Sequence, residues 1–276
     1  WAKYLPAPFM SLLIDDCIAN GKDYNDGGAR YNTSYIQGVG LGTITDSMTA
    51  IKYHVFDKRD MAMTELLAAI KSDFAGCETI HNSLWNQTPK YGNDDDYADS
   101  VMRKIFDTYF DLIDGRPNTR GGHFRINLLP TTCHIYFGSV VGATPDGRRC
   151  GEPLSEGISP VQGADQKGPT AVLNSAAKID HLRTGGTLLN QKFTPELLED
   201  EAVLKKIGAL VRSYFTMDGH HIQFNVIKAE TLRKAQEEPE KYRDLIVRVA
   251  GYSDYFVDLG RTLQDEIIRR TEHDSF

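Results

Sequence analysis

Cysteine is scarce in this sequence of 276 residues: Cys17, Cys77, Cys133 and Cys150 lie far apart. No two of them form a Cys-x-x-Cys pair, so their spacing supports neither a zinc site nor a disulfide framework, and no metal site is predicted. We expect Cys17, Cys133 and Cys150 to be small buried hydrophobic residues. Free thiols fit a reducing compartment, and we predict the cytoplasm as the location of the protein.

Long apolar runs and an excess of basic residues are also absent. No stretch approaches the roughly 20 apolar residues needed to cross a bilayer, and no signal-peptide pattern opens the sequence. The net charge of -7 argues against the basic surface that nucleic-acid binding needs. We therefore expect neither a membrane nor a nucleic acid as a partner. The 41% hydrophobic content is sufficient for one large core or two modest ones.

Two local patterns are similar to binding motifs but lack what binding needs. Residues 38–42 contain Gly-x-Gly-x-Gly, without the lysine of a P-loop or the spacing of a dinucleotide fingerprint. Residues 94–96 are three consecutive aspartates that precede a helical pattern. Three adjacent carboxylates cannot all face one ion without distortion, whereas a helix dipole favours acidic residues at its N-terminus. The second pattern therefore indicates a helix start.

Helices and strands alternate along the predicted structure, which indicates an α/β fold. Hydrophobic periodicity and helix-start and helix-stop signals predict the following elements. The helices are 8–20, 46–57, 60–74, 77–87, 95–114 and 259–272, and the strands are 124–129, 132–137, 221–227 and 245–250.

One glycine near the C-terminus is chemically suggestive. A β-branched strand over 245–250 leads into Gly251, and that pattern alone is typical of a turn glycine that ends a strand. Loss of a Cα hydrogen leaves a radical that the neighbouring amide nitrogen and carbonyl delocalise, and glycine alone keeps such a radical planar and uncrowded. Gly251 is therefore also a candidate site for storing a backbone radical.

The string Arg-Val-Ala-Gly-Tyr-Ser over 248–253 resembles the signature of the glycyl radical enzymes, the family that includes pyruvate formate-lyase. Other segments are similar to the same family, and its dehydratase-like branch in particular. They are residues 144–155, 159–165, 185–193 and 219–226. The similarity covers essentially the whole chain.

The resemblance implies a specific architecture. The family fold is a ten-stranded α/β barrel built from two half-barrels, and this chain would supply much of the second half together with a C-terminal glycyl radical loop. Residues 1–143 would form the C-terminal part of the barrel domain, and residues 144–276 the glycine radical domain. Because the sequence begins at Trp1 with no N-terminal lead-in, we expect it to be part of a longer protein.

The resemblance also implies a partner residue for the radical. In the family, a cysteine receives the radical and abstracts hydrogen from the substrate. Gly76-Cys77-Glu78 is similar to the motif of that cysteine, but Cys77 lies between two amphipathic helical patterns and downstream of the segment where the family carries it. We therefore place the radical cysteine and its glutamate base before Trp1. The family's radical is installed by a separate activating enzyme that uses S-adenosylmethionine, so no bound cofactor is predicted.

The similarity favours a dehydratase acting on trans-4-hydroxyproline, a small-molecule lyase reaction. Glycerol or propanediol dehydratase, or another glycyl radical lyase, is the alternative. We expect the full-length enzyme to be a homodimer. A non-catalytic alternative is a radical-bearing replacement subunit. Thr131 and Thr132 are candidate pocket residues, His134 is interpreted as a buried structural histidine, and His220 and His221 receive no role.

Overall fold

A computed structural model describes residues 1–274, in which short strands alternate with helices. The helices are α1 (Pro8–Leu13), α2 (Cys17–Asn20), α3 (Leu41–Ala50), α4 (Met63–Lys71), α5 (Glu78–Asn86), α6 (Asp96–Ile113), α7 (Cys133–Val140), α8 (Gly168–Ala176), α9 (Glu201–Thr216), α10 (Ala229–Glu237) and α11 (Arg261–Arg269). The strands are β1 (Ser34–Gln37), β2 (Phe124–Asn127), β3 (Asn190–Phe193), β4 (Gln223–Val226), β5 (Ile246–Arg248) and β6 (Ser253–Tyr255). Among residues 1–274, no helix combines the length and apolarity that crossing a membrane requires.

The helix predictions over 60–74, 77–87 and 95–114 are confirmed as α4, α5 and α6. The side chain of Asp95 caps α6 by accepting a hydrogen bond from the backbone N–H of Tyr97 at 3.0 Å. Its neighbours Asp94 and Asp96 both form ion pairs with Lys178. The three aspartates therefore serve the start of a helix, as helix capping and the helix dipole favour.

The predicted strand over 132–137 is wrong, because these residues lie at the start of α7. Short apolar runs do not distinguish a strand from a buried helix. Here Thr131, with φ of 50°, turns the chain directly after Pro130, and Gly138 lets the helix approach the carbonyl of Glu152 more closely than any Cβ permits. The prediction over 8–20 also needs correction, because a break at Asp16, with φ of 76°, separates α1 from α2.

The strands form a parallel row. β1 pairs with β2 in parallel, and β3 pairs with β4 in parallel. Residues 185–188, just before β3, continue the row beside β2, since Leu128 N–H donates to the carbonyl of Gly186 at 2.8 Å and Leu188 N–H donates to that of Leu128 at 3.2 Å. Parallel strands joined through helices are the mark of an α/β fold. β5 and β6 instead form an antiparallel hairpin.

Two apolar clusters hold this arrangement together. The first packs α6, α8 and residues of β2 around Met102, Val172 and Ile126. The second packs α10 and α11 against the β5–β6 hairpin, with Leu232, Ile267 and others around the hairpin residues. The second cluster therefore sets the position of the hairpin.

Close packing accounts for part of the glycine run at 38–42. Gly40, with φ of 80°, precedes α3 as its N-cap. A Cβ on Gly42 would lie 2.8 Å from the carbonyl oxygen of Ser159. Gly42 therefore lets the start of α3 approach the backbone of Ser159, and Gly40 supplies the left-handed conformation that precedes the helix.

Candidate functional site

Gly251 lies in the turn of the β5–β6 hairpin. Arg248 and Ser253 are the last paired residues, and the turn is closed by a hydrogen bond from Val249 N–H to the Tyr252 carbonyl at 2.9 Å. Gly251 has φ of 80°, in the left-handed region that favours glycine. A Cβ there would meet only Leu188 Cδ1, at the ordinary contact distance of 3.5 Å. The backbone conformation, rather than a lack of space, is what favours glycine at this position.

Two polar side chains of β4 anchor the hairpin. Gln223 Oε1 accepts a hydrogen bond from the backbone N–H of Gly251 at 3.1 Å and another from Arg248 Nε at 2.9 Å. Asn225 forms a reciprocal pair with the backbone of Arg248: its Nδ2 donates to the carbonyl at 2.7 Å and its Oδ1 accepts from the N–H at 2.8 Å. Both side chains are buried. The two side chains therefore bond backbone N–H and C=O groups of the hairpin as the backbone of a neighbouring strand would.

The predicted alternation of apolar and polar residues along β4 is present, and its polar residues are the ones that contact the hairpin. Gln223 and Asn225 face the hairpin, whereas Val226 is 45% exposed and Phe224 stacks on Phe193. Sequence reasoning found the period-two pattern without identifying these amides as functional. The signal in the sequence that could have found them is a pair of side-chain amides at alternate positions of a predicted strand. Each such amide has two hydrogen-bond donors and an acceptor with which to bond a neighbouring backbone.

A buried ion pair lies beneath the hairpin. Arg270 donates to the carbonyl of Val249 at 2.9 Å and to that of Arg248 at 3.3 Å, and it pairs with Glu266 at 2.8 Å. Burial acts to raise the pKa of Glu266, but Arg270 and His134 together hold that pKa well below its usual range. Arg270 therefore keeps its charge partner ionised and uses its remaining N–H groups to fix the turn.

His134 and Glu156 extend this buried network. His134 is fully buried, as predicted, with Nε2 at 3.7 Å from Glu266 Oε1. Glu156 accepts hydrogen bonds from Ser159 Oγ at 2.9 Å and from Asn190 Nδ2. Burial raises the pKa of Glu156 to about 7, against the opposing effect of the nearby Arg270 and His134. The region beneath the hairpin thus holds one firmly ionised carboxylate and one that titrates near neutral pH.

Thr131 and Thr132 lie at the start of α7. Thr131 is exposed and Thr132 is half-buried at the N-cap position. They follow Leu129, which packs against the same apolar cluster as Val249 and Ala250 of the hairpin. The structure therefore brings the chain segment of both threonines to the cluster that carries Gly251.

The cysteine positions differ from the expectation. Cys17 is buried, but Cys77 is half-buried and Cys133 and Cys150 are exposed. Cys77 is the N-cap residue of α5, between α4 and α5. The prediction of burial for Cys17, Cys133 and Cys150 is confirmed for Cys17 and wrong for the other two, because Cys133 begins α7 on its exposed side and Cys150 lies in a surface turn. Within residues 1–274, no group of three or more His, Cys, Asp or Glu side chains is placed to hold a metal ion.

Comparisons with known proteins place the chain in a family. Residues 1–138 match a family model described as Pyruvate formate lyase-like, and residues 154–257 match one described as Glycine radical. The chain is 61% identical over 271 residues to the trans-4-hydroxy-L-proline dehydratase of Clostridioides difficile, covering 98% of this chain and 34% of that protein.

Two solved structures are similar as well. The crystal structure of hydroxyproline dehydratase from Clostridioides difficile with trans-4-hydroxy-L-proline bound has a TM-score of 0.96 and 60% identity, over 99% of this chain and 35% of that one. The glycerol-bound B12-independent glycerol dehydratase of Clostridium butyricum has a TM-score of 0.94 and 47% identity, over 99% and 35% respectively. The chain thus spans about a third of the length of these relatives. It belongs to the pyruvate formate lyase-like family of glycyl radical enzymes.

Proposed function

We propose that this chain is the radical-storing part of a glycyl radical dehydratase, with Gly251 as the radical glycine. The observation that carries the proposal is the way the turn at Gly251 is fixed. The glycine is exposed and has φ of 80°, and buried side chains from two distant parts of the chain form hydrogen bonds with the turn. The segment also falls within the range matched by the glycine radical model. Such a site suits a backbone radical, which needs a planar Cα and a fixed environment.

The chemistry of a stored radical requires residues beyond this chain. In the family, the glycyl radical passes to a cysteine, whose thiyl radical abstracts hydrogen from the substrate. Because the chain covers about a third of its relatives, we propose that this cysteine and its glutamate base belong to the remaining two thirds of the enzyme. A separate activating enzyme that uses S-adenosylmethionine would install the radical, and the complete enzyme would be a cytoplasmic homodimer.

The proposed fold of the complete enzyme is a ten-stranded barrel. The parallel row formed by β1, β2, residues 185–188 with β3, and β4 supports the assignment of this chain to one half-barrel, with the β5–β6 hairpin as its radical loop. Residues 1–143 and 144–276 remain the proposed barrel and radical parts. Thr131 and Thr132 are proposed to line the substrate pocket, because their segment meets the hairpin's apolar cluster through Leu129.

We propose trans-4-hydroxyproline as the substrate. Two structural comparisons with nearly equal coverage support this choice, since identity is 60% to the hydroxyproline dehydratase and 47% to the glycerol dehydratase. Removal of hydrogen beside a hydroxyl, followed by loss of water with acid and base assistance, is the reaction class. Glycerol or propane-1,2-diol is the alternative substrate.

Electron paramagnetic resonance tests the radical assignment. After anaerobic activation of the complete enzyme, we expect a glycyl doublet that Gly251→Ala abolishes. Gly21→Ala is the matched control, because Gly21 also has positive φ, at 59°, and open space at its Cβ position. A doublet that persists in Gly251→Ala, or disappears equally in Gly21→Ala, contradicts the proposal.

Product analysis tests the substrate. The activated enzyme is supplied separately with trans-4-hydroxy-L-proline, glycerol and propane-1,2-diol, and each mixture is followed by mass spectrometry for loss of one water. We expect turnover of the hydroxyproline with the highest kcat/KM. Faster dehydration of either diol assigns the chain to the alternative.

A further inference from the structure

A chain of side-chain amides connects Gly251 to a buried carboxyl group. Gly251 N–H donates to Gln223 Oε1 at 3.1 Å. Gln223 Nε2 donates in turn to Asn190 Oδ1, and Asn190 Nδ2 donates to Glu156 Oε2. Gln223 and Glu156 are buried, at 6% and 2% exposure, and Asn190 lies half-buried between them. Every donor in this chain points away from Gly251 and towards Glu156.

The donor-to-acceptor direction of this series of hydrogen bonds is set at both ends. Gly251 N–H and Arg248 Nε can only donate, so the atom of Gln223 that faces them must be its oxygen. Ser159 Oγ, which accepts from the backbone N–H of Asn190 at 3.0 Å, donates to the same Glu156 Oε2 that accepts from Asn190. Flipping either amide would set donors against donors, and the sequence of bonds therefore has one polarity.

This polarity has an electronic consequence for a radical at Gly251. The glycine nitrogen stabilises a Cα radical by donating electron density to it, and a hydrogen bond from its N–H to an acceptor increases that donation. Hydrogen bonds in a chain polarise one another, more so in a buried site of low dielectric. A carboxyl oxygen at the far end, Glu156 Oε2, strengthens each link as an acceptor.

Resting on the function proposed above, we propose that Gln223, Asn190 and Glu156 form a relay that tunes the electronic structure and lifetime of the radical on Gly251. Gln223 acts directly on the glycine amide, and Asn190 and Glu156 are positioning residues that act through it. Arg270 holds the hairpin by donating to the carbonyl of Val249, and Asn225 holds it by bonding both backbone groups of Arg248. Among residues 1–274, Gln223 is the side chain that accepts a hydrogen bond from the N–H of the glycine itself.

The test uses the complete enzyme, activated anaerobically, with glycine labelled with the heavy nitrogen isotope. In Gln223→Leu we expect a changed nitrogen coupling and a radical that decays about fivefold faster, the effect of one lost hydrogen bond. Gln223→Glu retains an acceptor for Gly251 N–H and should keep a coupling close to that of the wild type. Asn190→Leu, which leaves the first bond, should give a smaller change of the same sign.

Asn225→Leu is the matched control, since Asn225 lies on the same strand and its side chain is hydrogen-bonded to the backbone of Arg248 and not to that of Gly251. We expect it to leave the nitrogen coupling unchanged. Equal changes in Gln223→Leu and Asn225→Leu, or no change in Gln223→Leu, overturn the relay. If the Gln223→Leu enzyme cannot be activated to carry a radical, the Asn190→Leu enzyme tests the relay instead. An unchanged nitrogen coupling in Asn190→Leu then overturns the relay. Absence of any doublet in the wild type instead contradicts the function proposed for Gly251.

Discussion

The β5–β6 hairpin and helix α1 are both short elements, but they are held in different ways. The hairpin buries Val247, Val249 and Ala250 almost completely. In α1 no residue is buried, and Phe9 and Leu13 are 74% and 69% exposed. One element is held by packing from distant parts of the chain, and the other by local signals.

The local signals in α1 are a proline in its first turn and polar contacts near its start. Ser11 Oγ donates to Asp23 Oδ2 at 2.8 Å, and Ala7 N–H donates to the same oxygen at 2.9 Å. The hairpin instead depends on Gln223 and Arg270, which lie 28 and 21 positions away from the residues they bond. The comparison teaches that a short exposed helix is held by contacts at most 16 positions away, whereas the turn that carries Gly251 depends on buried side chains 21 and 28 positions away.

The largest effect is expected from a matched pair of phenylalanines. Phe256 follows β6 and is fully buried, while Phe9 of α1 is 74% exposed. Phe256→Ala should lower the free energy of unfolding by about 4 kcal/mol, because it leaves a cavity in the second cluster. Phe9→Ala should change it by less than about 0.5 kcal/mol. Urea denaturation measures both, and a larger loss for Phe9→Ala would show that another surface covers α1.

Adjacent arginines provide the next comparison. Arg270 pairs with buried Glu266, whereas Arg269 pairs with Glu152 at 3.0 Å on the surface. Arg270→Met should cost about 3 kcal/mol, since it leaves a carboxylate buried without its partner. Arg269→Met should cost no more than about 1 kcal/mol. Equal losses measured in urea would mean that the hairpin does not depend on the buried pair.

The two regions should also respond oppositely to pH. Glu156 has a pKa raised to about 7 in the folded protein, so the native state retains a proton that the unfolded state has lost. Stability from this group is therefore present at low pH and decreases as pH rises from about 5 to 8, by roughly 2 kcal/mol. In Glu156→Gln this part of the slope should disappear from denaturation curves taken across that range.

Asp23, which holds the start of α1, has the opposite dependence. Desolvation acts to raise the pKa of Asp23, but hydrogen bonds from Asn25, Ala7 and Ser11 lower it by more, so the pKa lies below its usual value. Its contribution is present above about pH 4 and is lost as pH falls below that value. Asp23→Asn should remove a part of the acid-side slope and leave the slope between pH 5 and 8 in place.

The smallest expected effect on stability comes from two Gly→Ala variants, which separate the cost of backbone strain from the loss of the radical. Gly251→Ala and Gly21→Ala each place a side chain at positive φ without a close contact. Both should cost about 1 kcal/mol of folding stability by thermal or urea unfolding. Only the first should remove the radical signal. A much greater stability loss for Gly251→Ala would show that the turn is strained beyond its φ.

Local patterns predicted much of the helical part of the fold. The helical spacing of Val101, Ile105, Tyr109 and Leu112 predicted α6, although its buried side is formed by other residues, among them Met102 and Phe106. The aspartate before the helix, Asp95, is its cap. The pattern over 132–137 failed, because the turn at Thr131 and the close approach at Gly138 have no periodic signature. Helices α8, α9 and α10 were not predicted.

The candidate site was predicted only in part. The string around Gly251 makes this glycine the candidate radical site through its resemblance to a family, which requires no knowledge of tertiary contacts. Gln223, Asn190, Glu156 and Arg270 were not found. Each is a polar residue of a common type whose role depends on which distant backbone group it meets after folding.

The sequence by itself determined the family, the helices with clear periodicity and the glycine that is proposed to carry the radical. Only the tertiary structure decided how that glycine is held: by the amide of Gln223 and the carbonyl contacts of Arg270. The physical reason is that a glycine's dihedral preference and its radical chemistry are local properties. The direction and burial of the hydrogen bonds around it arise only when β3, β4 and α11 pack beneath the turn.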